Sequence, residues 1–125
     1  MPLSALPDAW NEGMRGLLGI TPPDDRLGCL QDVHWPSGGW GYFPTYTLGA
    51  MTAAQLFEAA CKAERDVLPG IARGDFSPLV GWLRANIHAQ GCLLETDDLL
   101  IQATGKPLDA AIFKAHLRRR YVGEA

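Results

Sequence analysis

Apolar residues recur at helical spacing along most of the chain. Leu6, Trp10, Met14, Leu17 and Leu18 fall on one face, so an amphipathic helix is expected to run to about Leu18, with Ser4 as a cap and Pro7 and Asp8 in its first turn. Pro22 and Pro23 end it. From Pro44 to about Glu64, Leu48, Met51, Gln55, Leu56, Ala59, Ala60 and Ala63 form a stripe. Ala50, Ala53, Ala54 and Phe57 fill much of the remaining circumference. A helix apolar on nearly all sides is usually buried, so this one reads as the central helix. Asp66 to Gly74 reads as a short helical turn broken by Pro69 and Gly70. Ser77 caps the next predicted helix, whose inner face is Leu79, Val80, Leu83 and Ile87, and Gly91 stops it. Thr96 caps another, with Asp97 and Asp98 at its positive end and Gly105 as its terminator. Asp109 caps the last, with Ile112, Phe113, Leu117 and Tyr121 inward. Lys114 and Arg118 to Arg120 crowd its C-terminal half, which suits the helix dipole. No period-two strand pattern occurs. The expected fold is all-α, a bundle of five or six helices in a single domain, residues 1–125.

Between the first two helices lies a segment of a different kind. Residues 28–46 hold an acid (Asp32), an imidazole (His34), two indoles (Trp35, Trp40), two phenols (Tyr42, Tyr46) and four glycines within nineteen positions. Groups that exchange protons beside flat apolar walls, on a backbone loosened by glycine, suit a substrate pocket better than a connector.

Composition narrows the function classes. At 125 residues the chain forms one domain at most, and 47% hydrophobic residues suffice for a core. A formal charge of −3 forecasts no basic face, so no nucleic-acid partner is expected. No apolar run approaches the roughly 20 residues that span a bilayer, and no signal peptide is visible, so no membrane partner is expected. Cys29, Cys61 and Cys92 are odd in number and widely spaced, as expected of reduced thiols in a cytoplasmic protein.

Gly28, Gln31, Asp32, His34 and Trp35 fit the pattern G-x-x-Q-D-x-H-W, and the chain continues Gly41-Tyr42-Phe43-Pro44-Thr45-Tyr46-Thr47-Leu48-Gly49. Together with Leu6-Pro7-Asp8-Ala9-Trp10-Asn11 and Gly105-Lys106-Pro107-Leu108, these segments resemble, in order, the C-terminal part of the M32 metallocarboxypeptidases, the carboxypeptidase Taq family. The resemblance covers nearly the whole chain. It implies the C-terminal portion of the neurolysin-like, M32 helical peptidase fold. It also implies an intact enzyme that removes C-terminal residues from peptide substrates with zinc or another divalent metal. The family's H-E-x-x-H zinc helix has no counterpart here, since none of His34, His88 and His116 begins such a motif. The chain is therefore expected to be a C-terminal piece of a larger enzyme, to hold no metal itself and to be inactive alone.

Zinc-dependent peptide hydrolysis needs an activated water, a base, and donors for the oxyanion. The resemblance implies that this segment supplies the donors. His34 with Tyr42 or Tyr46 would grip the substrate carbonyl, on a loop able to move. Gln31, Asp32, Trp35 and Trp40 would line the substrate site. Asp32 either orients the imidazole two residues on, or caps a turn or pairs with Arg26. The two tryptophans either wall a pocket or fill a core. His88 and His116 read as structural, and the arginine run as a solvated face or a docking surface. A second reading keeps the chain as a stand-alone helical module that binds peptides or a partner without catalysis. Homodimerisation is one way to cover so apolar a central helix.

Overall fold

The computed structural model describes residues 1–34 and 36–123. Among them are six α-helices and no strand. The chain forms two compact units, Met1–Tyr42 and a second beginning at Phe43.

In the first unit a 3-10 turn, Leu3–Ala5, leads into helix α1, Leu6–Leu18. Pro7 sits in the first turn, where its missing N–H costs nothing, and Gly19 closes the helix at φ 71° with its N–H on the Arg15 carbonyl. Ser4 does not cap; the amide of Ala5 instead bonds the Pro2 carbonyl within the preceding turn. Leu17 and Leu18, expected on the inner face, are exposed. Two further 3-10 turns, Asp25–Leu27 and Cys29–Gln31, follow, and α1 packs on the second.

The second unit is organised around α2, Pro44–Ala63, which touches each of α3 (Val67–Ala72), α4 (Ser77–Asn86), α5 (Thr96–Thr104) and α6 (Ala110–Leu117). Its buried positions, Ala54, Gln55 and Ala60, lie in its C-terminal half; residues 44–50 are exposed, so the helix is covered over only part of its length. Val67, Trp82, Leu100 and Ile112 complete the core, one from each surrounding helix.

Several ends differ from the sequence reading. Pro69 and Gly70 do not break α3. Pro69 is the third helical residue, where its lost donor has no intrahelical acceptor. Gly70 is required by a close approach: a Cβ there would lie 2.6 Å from the Asp75 carbonyl oxygen. Ser77 is not a cap but the first residue of α4, and its amide donates to the Asp75 carboxylate at 3.0 Å. That bond, then one from the Ser77 side chain and the nearby Arg73, holds the Asp75 carboxyl below its ordinary value. Thr96 likewise begins α5 and makes no capping bond, whereas Asp97 and Asp98 lie in the first turn and Gly105 ends the helix at φ 82°, as expected. Asp109 does cap α6, accepting from the Ala111 amide at 2.8 Å. Beyond Leu117 the chain continues as a π-helical turn, Arg118–Val122. Ile112 is buried, but Leu117 and Tyr121 are exposed rather than inward.

Gln55 is the polar centre of this unit. Its side-chain Nε2 donates to Thr104 Oγ1 (2.8 Å), Pro107 O (3.1 Å) and Lys106 O (3.2 Å), and its Oε1 accepts from the Asp109 amide (2.9 Å). Periodicity alone makes it one more member of the apolar stripe.

Candidate functional site

The glycine-rich segment is built from local hydrogen bonds. Asp24 accepts from the Leu27 amide (2.9 Å) and starts the first 3-10 turn; Gly28 follows where a Cβ would crowd Pro22 and the Asp24 carbonyl at 3.3 Å. Gln31 is exposed, and its Nε2 donates to the Arg26 carbonyl at 2.9 Å, so its side chain ties the turns together.

Asp32 comes next and is buried. Its Oδ1 accepts from the backbone N–H of His34 at 2.8 Å and meets Nδ1 of the same imidazole at 2.7 Å. Asp32 thus makes both a contact to the imidazole and a local turn bond. Arg26 lies instead beside Asp24, at 3.9 Å. Asp32 Oδ2 is buried without a hydrogen-bond partner among the described residues.

The chain then folds back. The Gly39 amide donates to the His34 carbonyl at 2.7 Å, and a Cβ at Gly39 would sit 3.2 Å from His34. The Tyr42 amide donates to the Gly39 carbonyl, with Gly41 at φ 76° in the third position, which a type II turn reserves for glycine. This closure lays the Tyr42 ring on the imidazole, centroids 5.4 Å apart and planes 19° from parallel. Asp32, His34 and Tyr42 thus form one stack. The His34 side chain is 30% exposed against 4% for Asp32, and Tyr42 is 48% exposed. The imidazole is thus held by Asp32 at Nδ1 and stacked by Tyr42, and stays partly exposed.

Tyr46 belongs to the second unit. It lies in the first turn of α2, 55% exposed, with its ring 6.0 Å from that of Phe43. Trp40 is 62% exposed and is not a core residue. Trp35 lies outside the described residues.

The Asp32 contact fixes what His34 can do. An ionised carboxylate only accepts, so Nδ1 carries a proton. In the neutral ring Nε2 is then an acceptor; in the imidazolium it is a donor. Donation to an oxyanion therefore calls for the protonated ring.

No three His, Cys, Asp or Glu side chains converge among the described residues, and a zinc site needs at least three protein ligands. These residues do not fit a metal centre. His88 is exposed in a 3-10 turn, and Gly91 at φ 54° separates it from Cys92. His116 is half-buried on α6. No helix among the described residues is long and apolar enough to cross a membrane.

Residues 1–121 match the sequence profile of the carboxypeptidase Taq (M32) metallopeptidases. The chain belongs to that family. Thermostable carboxypeptidase 1 of Thermus thermophilus is 45% identical over 116 residues, 93% of this chain and 23% of that protein. Carboxypeptidase 1 of Bacillus subtilis is 41% identical over 118 residues, again 93% of this chain and 23% of the relative. Among solved structures, metallocarboxypeptidase 1 of Trypanosoma cruzi superposes with a TM-score of 0.90 at 42% identity, covering 98% of this chain and 26% of that one. The M32 carboxypeptidase of Deinococcus radiodurans gives 0.90 at 38% identity, covering 98% and 25%. The M32 fold expected from the sequence is therefore the one observed. The chain spans about a quarter of the length of the relatives it matches.

Proposed function

We propose that this chain is the carbonyl-gripping segment of a metallocarboxypeptidase that removes C-terminal residues from peptides. In this reading His34 and Tyr42 donate hydrogen bonds to the oxyanion or to the substrate backbone, with Tyr46 the alternative phenol donor. Asp32 positions His34, and Gln31 holds the loop that carries both. Trp35 and Trp40 wall the substrate. The observation that carries the proposal is the Asp32–His34–Tyr42 stack, with its carboxylate buried and its imidazole and phenol open to solvent, in a member of a metallopeptidase family.

Zinc or another divalent ion would supply water activation in the intact enzyme, held by residues other than those described. The chain alone is then without peptidase activity. Three free cysteines suit a reducing, cytoplasmic setting.

The test has two arms. Incubated with zinc and an N-blocked dipeptide, the isolated chain should release no C-terminal amino acid; metal-dependent release would overturn its passive role. Grafted in place of the matching segment of the Bacillus subtilis carboxypeptidase 1, it should sustain turnover. A folded graft that binds metal yet hydrolyses nothing would count against the assignment.

The second reading, a helical interaction module, draws support from one observation. The N-terminal half of α2 exposes Tyr46 and Leu48. A second copy or partner covering that face would produce a stable complex. Light scattering that finds a monomer at all concentrations argues against the homodimer.

A further inference from the structure

The second unit contains a cleft of about 750 Å³ that the proposed carbonyl grip does not use. Three helical stripes enclose it. Phe57, Cys61 and Lys62 come from α2, Leu68 and Ile71 from α3, and His116 from α6 with Arg119 and Arg120 from the π-turn. Its size lies within the range of small-molecule sites, about 300–1,000 Å³. Its lining is chemically mixed: Phe57, Leu68 and Ile71 are apolar, and Lys62, Arg119 and Arg120 are cationic.

Charge decides what could sit there. Lys62 is ion-paired with Glu58, the one carboxylate lining the cleft among the described residues, so those two cancel. Arg119 and Arg120 have no ion-pair partner among the described residues. Two guanidinium groups without an ion-pair partner among the described residues, that of Arg120 also 5.8 Å from the centroid of the Tyr121 ring, therefore line a largely apolar pocket in a chain whose net charge is −3. Guanidinium groups match carboxylates in geometry and charge. The π-turn contributes to this arrangement, because it places two consecutive arginines on the wall of the same cleft.

We infer that this cleft is a binding site for a small monocarboxylate with an apolar body, its carboxylate on Arg119 and Arg120 and its body against Phe57, Leu68 and Ile71.

Cys61 provides a local reporter, since it lines the cleft and is partly exposed. Octanoate is the probe, titrated calorimetrically and by its slowing of Cys61 alkylation in a Cys92→Ser background. Cys29 is buried and should react slowly. The expected result is saturable one-to-one binding that protects Cys61. 1-Octanol should bind about tenfold more weakly and inorganic phosphate not measurably, the tenfold reflecting a lost charge-assisted contact. Arg119→Gln/Arg120→Gln should weaken octanoate by about tenfold while leaving octanol unchanged. Ile71→Ala should weaken both, and circular dichroism confirms that each variant is folded. Equal binding of octanol and octanoate, octanoate binding without Cys61 protection, or an unchanged affinity in the double arginine variant would each overturn the inference. So would a concentration-dependent dimer that Arg119→Gln/Arg120→Gln dissolves and octanoate does not, because the cleft would then belong to a second copy.

Discussion

Replacing Gln55 should damage the fold more than any exposed substitution, and the structure gives the size of the effect. Its amide spans α2 and the α5–α6 connection, bonding Thr104, Lys106, Pro107 and the Asp109 amide, and it is among the most deeply buried side chains. Nε2 has two hydrogens for three acceptors, so one bond is shared. Gln55→Ala removes about three net bonds at roughly 1 kcal/mol each, and the orphaned Asp109 amide adds to that. Lys106 and Pro107 lie at the surface, where water can reach their carbonyls, so we expect a loss of about 3 kcal/mol rather than more. Gln55→Leu fills the space but orphans the same groups, and should cost about 2 kcal/mol. Gln55→Glu keeps the acceptor for Asp109 but turns a carboxylate oxygen toward two carbonyls. That raises the folded pKa of the new acid, so its penalty should appear as pH rises past about 4.3 and shrink below it. Urea denaturation followed by circular dichroism measures all three. With m of about 2 kcal/mol/M, Gln55→Ala should lower the midpoint by about 1.5 M. Alanine and leucine variants both within about 0.5 kcal/mol of the parent, the range of an ordinary surface change, would refute the reasoning.

Other expectations follow from single contacts. Gly70→Ala forces a Cβ against the Asp75 carbonyl and should cost about 1–3 kcal/mol, whereas Gly81→Ala, inside α4 with open space around it, should gain about 0.5–1 kcal/mol; thermal melts of the two give opposite signs. Asp75 and Asp109 have folded pKa values held down, the first chiefly by the Ser77 amide and the second chiefly by Lys106. Their contribution is present above the ordinary aspartate value of about 3.9 and is lost as pH falls below it. Asp75→Asn/Asp109→Asn should therefore flatten the decline in urea midpoint between neutral and acidic pH, and an unchanged slope counts against both bonds. Gly41→Ala opposes a φ of 76° and should loosen the turn that lays Tyr42 on His34, seen as loss of the upfield ring-current shift of the imidazole protons.

How much of this was legible in the sequence depended on the range of the interactions. The starts of α1 and α2 follow from proline in the first turn of each and apolar spacing beyond it, whereas Pro22 and Pro23, read as ending α1, lie past its actual stop at Gly19. The capping residues were less legible. Ser77 and Thr96 have the right chemistry but lie one residue inside their helices, and an acid two residues before Ser77 takes its amide. Extending a 3.6-residue period places Tyr121 inward; the π-turn at Arg118–Val122 rotates less per residue and carries it off the stripe. Gln55 was unreadable because its partners lie 49 to 54 residues downstream. In the site, the Asp32–His34 pair is two residues apart and so was visible, whereas Tyr42 reaches the imidazole only through the turn at Gly41. The cleft beside Cys61 needs three helices to form and left no local mark.

The most direct measurement of the account is kcat for peptide hydrolysis by the grafted enzyme carrying His34→Ala or Tyr42→Phe. Each should lower kcat by at least about tenfold, with KM nearly unchanged and metal content intact, because the lost bonds form only as the carbonyl becomes an oxyanion. If both variants turn over like the parent graft, neither side chain holds the reacting carbonyl and the central claim is wrong.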